Sequence, residues 1–84
     1  MEEADIQQIK VILKGWNKFP ANAEADFDCL CNEVSTALGD GFGATELTAV
    51  IQNEFVNHFG EPGPVDEVLY ISEVIVDWWQ NKFH

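Results

Sequence analysis

Read for its apolar positions alone, the chain divides into four helical stretches. Ile6, Ile9, Ile12, Leu13 and Trp16 recur at the three-and-four spacing of one helix face, which predicts a first helix over Glu3 to Lys18. Pro20 ends it, because the residue before a proline is pushed out of the helical region. The second helix is predicted from Asn22 to Leu38, with its stripe at Phe27, Leu30, Cys31, Val34 and Leu38. Asn22 suits the N-cap, Glu24, Asp26 and Asp28 suit the positive end of the helix dipole, and Gly39 is a natural stop. The third is predicted from Ala44 to Phe59, striped by Leu47, Val50, Ile51, Phe55 and Phe59 and broken by "GEPGP". The fourth is predicted from Pro64 to Phe83, with Pro64 at the first helical position and Asp66 and Glu67 in the first turn.

That fourth stretch is apolar on two sides. Its inward stripe is expected at Val65, Val68 or Leu69, Ser72, Ile75 or Val76, and Trp79. Tyr70, Val74 and Trp78 form a second stripe, which either completes the core or carries a partner surface. No stretch alternates as a strand would, and there is no internal repeat. The expectation is a single helical domain over residues 1–84, an all-α, small four-helix bundle with short loops.

Composition adds limits. A chain of 84 residues buries roughly 60 to 65% of its unfolded surface, so the core is modest. No apolar run is long enough to span a membrane, and the acidic start "MEEADIQQIK" is unlike the basic start of a signal peptide, so a cytoplasmic protein is expected. Charge changes the picture most. Fifteen acids stand against four lysines, for a net charge of −11, and no basic residue separates Lys18 from Lys82. Such a field repels nucleic acid phosphates and attracts a basic protein surface.

The candidate chemistry is thin. "GDGFG" frees backbone N–H groups ahead of a helix but lacks the lysine of a phosphate loop and follows a helix, not a strand. An EF-hand fails because Ser35, Thr36 and Leu38 stand where acids are needed. Cys29 and Cys31 have no second ligand cluster and are expected as buried small apolar residues. His58 and His84 show no evident catalytic partner, so no enzyme, metal or cofactor is expected.

The stretch "DGFGATELTAVIQNEF" resembles the second helix of acyl carrier proteins. Asp40 falls on that family's Asp, Phe42 on its Leu, Glu46 and Leu47 on its Glu-Leu, Ile51 on an aliphatic, and Glu54 with Phe55 on its closing Glu-Phe. Leu38 and Gly39 are similar to the Leu-Gly before the motif, with one residue fewer between. "ADIQQIKVIL" and "YISEVIVDWW", with Asp77, are similar to the first and last helices. The resemblance implies an acyl-carrier-protein-like bundle, with Glu46 and Glu54 as docking acids. It also implies that Gly41 occupies the place of the serine that carries the phosphopantetheine arm, where no arm can be attached. The stretch between the first two matched helices is longer and more helical than in the family.

Three readings follow. The first is a non-catalytic carrier-like protein without a prosthetic group, docking on a basic protein partner. The second is an acidic inhibitor or immunity-type protein that blocks a nuclease or mimics nucleic acid. The third is a homo-oligomer joined through Tyr70, Val74 and Trp78. The partner-binding residues expected across these readings are Asp40, Phe42, Glu46, Glu54, Tyr70 and Trp78. Neither direct nucleic acid binding nor membrane association is expected.

Overall fold

A computed structural model of the chain describes residues 3–16, 24–61 and 63–82, and the side chains of these except 24–27 and 59. Its elements are α1 (Glu3–Trp16), α2 (Glu24–Gly39), α3 (Ala44–Phe59) and α4 (Val65–Asn81), with no strand among the described residues. The expected four-helix bundle is the observed one. Lys18, Pro20, Asn22, Phe83 and His84 lie outside the described residues, as do the side chains of Phe27 and Phe59.

Each helix packs on the next in the chain, and α1 closes the ring against α4, more loosely than the other pairs. The directions follow from named contacts. Asp5, in the first turn of α1, pairs with Lys82 just past the end of α4. Trp16, at the end of α1, meets Phe55 near the end of α3 edge to face, with ring centroids 6.3 Å apart. Neighbours therefore run antiparallel, up and down. Lys10 adds a 2.9 Å bridge to Asp28 between α1 and α2.

The core gathers Ile9 and Leu13 of α1, Leu30, Cys31, Val34, Ala37 and Leu38 of α2, Leu47, Ile51 and Phe55 of α3, and Val68, Ile71, Ile75 and Val76 of α4. Fully burying one such aliphatic side chain contributes about 1.5–3 kcal/mol. Ser72 is also fully buried, and its hydroxyl donates to the Val68 carbonyl at 2.8 Å, which spares the core an unmatched polar group.

Several expectations are corrected. Val65 is 56% exposed, and Ile71 takes an inward place that the stripe omitted. In a helix that is mostly apolar, spacing alone leaves the inward arc undecided. Ile75 and Val76 are both buried, and Val68 rather than Leu69 faces the core. Cys31 is buried as expected, but Cys29 is exposed, because residues two apart on a helix point away from each other. Pro64 is the N-cap, not the first helical residue. Its backbone is extended (φ −75, ψ 113), and its carbonyl accepts the first helical bond from Val68 N–H at 2.9 Å.

Candidate interaction surface

The junction between α2 and α3 holds the carrier-like residues. Phe42 N–H donates to the Ala37 carbonyl at 3.0 Å, and Gly41 N–H donates to the Leu38 carbonyl at 3.1 Å. This nested pair is the Schellman motif, which closes a helix on a left-handed residue. Gly41 is that residue, with φ 87. So the stop of α2 is at Gly41, and Gly39 is still helical. Gly41 also lies outside α3, whose N-cap is Gly43 with extended backbone (φ −88, ψ −175). The resemblance gave Gly41 the place of a serine ahead of α3; the hydrogen bonds place it in the cap of the preceding helix.

The first turn of α3 carries Glu46 at its third position, where a carboxylate is favoured by the helix dipole. Glu46 Oε1 lies back over Gly43, 3.7 Å from where a Cβ would stand. Asp40 and Glu46 are exposed, and Phe42 is 37% exposed. Glu54 is not on this surface. It is 7% exposed, and its carboxylate lies 3.0 Å from His58 Nε2, one turn on. The docking acid that the resemblance implied is turned inward, and the histidine that lacked an evident partner has one.

The second stripe of α4 splits. Trp78 and Val74 are half-buried and pack against the core, while Tyr70 stands 63% exposed. The Lys82 ammonium lies 5.6 Å from the centroids of both Trp78 and Trp79, while also pairing with Asp5. Trp78 is thus covered on one side by a cation–π contact, and of the three aromatics expected to bind a partner, Phe42, Tyr70 and Trp78, Tyr70 is the most exposed. Beside Tyr70, α1 and α4 leave a groove of about 430 Å³ lined by Ile12, Gly15, Trp16, Glu67, Tyr70, Ile71 and Val74. A shallower depression continues along α4 past Tyr70, Glu73, Val74 and Asp77. Trp16 Nε1 is buried without a hydrogen-bond partner among the described residues.

Sequence reasoning missed this groove, because Ile12 and Trp16 read as core and nothing in one sequence pairs α1 with α4. The available signal was Gly15, a glycine inside an otherwise good helix.

Among the described residues, no three His, Cys, Asp or Glu side chains gather to hold a metal ion, and no helix is long and apolar enough to cross a membrane. No protein-family model, curated protein or solved structure matches the chain.

Proposed function

We propose that the chain is a non-catalytic, acidic docking protein, an acyl-carrier-like bundle that lacks the prosthetic-group serine and acts by binding a basic surface on another protein. One observation carries this reading. Helices α2, α3 and α4 contain no lysine or arginine, and Asp28, Glu33, Asp40, Glu46, Asp66, Glu73 and Asp77 are all exposed on or between them. A surface of one sign steers and orients a partner of the other sign. The absence of an arm is tested by intact mass after incubation with a phosphopantetheinyl transferase and coenzyme A. An unchanged mass is expected, and an added arm on any residue removes the carrier-without-cofactor reading. Docking is tested by affinity capture from the native host at low and high salt, followed by reassembly from purified components. A basic partner that is lost at high salt is expected; no salt-sensitive partner removes the docking reading.

A second reading, an inhibitor or immunity-type protein, gains from one feature. The exposed acids are spread over α2, the start of α3 and α4, and do not line α3, which turns Glu54 inward. A spread array suits mimicry of phosphates better than a single docking helix. The same capture separates the two: a nuclease or nucleic-acid-binding partner favours inhibition, and a synthase or transferase favours carrier-like docking.

A further inference from the structure

Gly15 is not required by the fold that contains it. It is the last residue but one of α1, it is not among the described glycines with positive φ, and a Cβ built on it would meet none of the described residues within 4 Å. A glycine inside a helix is less stable than alanine by roughly 0.5–1 kcal/mol. Among the described residues, neither backbone conformation nor packing offsets that loss. What the missing side chain does is leave the wall of the α1–α4 groove open beside Ile12 and Trp16.

The opposite wall is α4. Ile71 and Val74 give it apolar surface, Tyr70 stands up from it, and Glu73 and Asp77 follow along the same depression. From residue 67 to residue 77 a helix rises about 15 Å, close to three turns. A groove between two helices, with an apolar floor and an acidic flank of that length, matches the way a third, amphipathic helix is received. The charge settles its sign. A second copy of this chain would meet net repulsion, since each carries a net charge of −11, and among the four helices only α1, itself a wall of this groove, bears lysines.

Resting on the docking reading above, we propose that the α1–α4 groove seats a basic amphipathic helix of the partner protein. One large aliphatic side chain enters beside Gly15, against Ile12, Ile71 and Val74. The neighbouring turn packs on Tyr70, an exposed residue of the type favoured at binding hot spots. Lysines or arginines on the same helix reach Glu73 and Asp77.

The probe is a synthetic peptide of Leu and Lys, patterned for one apolar helix face and about four turns long. Its control has the same composition in shuffled order. Binding is measured by calorimetry to the wild-type chain and three variants. Gly15→Leu puts a bulky side chain at the groove mouth, where its Cβ meets no described atom within 4 Å, and Glu73→Lys/Asp77→Lys reverses the flank. Glu3→Lys/Glu61→Lys shifts the net charge by the same amount at exposed acids outside both the groove lining and the docking set named above. The patterned peptide is expected to bind about tenfold or more tighter than the shuffled one, a 1.4 kcal/mol difference. Gly15→Leu and the Glu73/Asp77 double variant each weaken it by a similar factor, and the Glu3/Glu61 variant changes it much less. Circular dichroism confirms that Gly15→Leu stays folded. Equal loss in both charge-reversed variants, with Gly15→Leu unaffected, overturns the groove proposal and leaves the docking reading standing. No binding of either peptide counts against both.

Discussion

Gly41 and Gly63 hold the turns on either side of α3, and they have the same backbone need in opposite surroundings. Both are left-handed, with φ 87 and φ 71. Gly41 caps α2 in open space, where an added Cβ would meet nothing within 4 Å. Gly63 lies against the core: a Cβ there would stand 2.8 Å from Phe55 Cδ1 and 2.9 Å from Cε1. Phe55 in turn is 4% exposed and packs on Trp16. At Gly41 glycine is required by the backbone alone. At Gly63 it is required by the backbone and by a ring that has little room to move in a close-packed interior. The identity of a residue in a turn therefore says less than what stands behind it.

The largest effect is expected at Gly63. Gly63→Ala combines left-handed strain of about 1–2 kcal/mol with overpacking of about 1–3 kcal/mol. A loss of roughly 2–5 kcal/mol is a large part of the stability of a domain this size. Thermal melting checks it, and a fall of only a few degrees would mean that Phe55 yields freely. The comparison sharpens with a double-mutant cycle. Phe55→Leu removes ring atoms that the new Cβ would strike. Gly63→Ala should therefore be milder by about 1 kcal/mol in the Phe55→Leu background than in the wild type. Strict additivity would show that the contact contributes nothing, and that both turns depend on φ alone.

At Gly41 a smaller loss is expected. Gly41→Ser meets no neighbour, so only the left-handed strain of about 1–2 kcal/mol remains, and the melting temperature falls by roughly 4–16 °C. The same variant places a hydroxyl where the acyl-carrier resemblance puts its serine. Because that position belongs to the cap of α2 and not to the first turn of α3, no arm is expected on it after incubation with a phosphopantetheinyl transferase. A mass gain on Gly41→Ser would tie this junction to the carrier family more closely than its backbone does.

Much of the fold was legible, for reasons that differ along the chain. The bounds of α3 were readable because a glycine-rich turn precedes it and "GEPGP" follows it, and both act within a few residues. Ile9, Val34 and Leu47 were readable as core because polar neighbours on both sides fix the phase of the helix, and Leu13, Leu30 and Ile51 each stand one turn from one of them. In α4 that contrast is missing, so Ile71 was omitted and Val65 was wrongly turned inward. Glu54 with His58 is a different failure. The one-turn spacing was visible, but the burial of Glu54 depends on where α3 sits in the bundle. The groove is a third case, since it exists only once α1 closes against α4. Gly41 was noticed as an absence of serine, and its cap role emerged only from the two nested hydrogen bonds.

The smallest effect should come from the third glycine, and its sign should be opposite. Gly15 has neither the left-handed backbone of Gly41 and Gly63 nor the close contact of Gly63. Gly15→Ala then removes only the conformational freedom that glycine keeps in the unfolded chain, and stability should rise by about 0.5–1 kcal/mol. Chemical denaturation detects this as a higher midpoint with an unchanged slope. A loss instead would show that α1 needs glycine near its end for a reason internal to the fold, and the open groove wall would then be a by-product of that need. A gain would leave the groove as what the glycine serves, since a more stable residue was available at no steric cost.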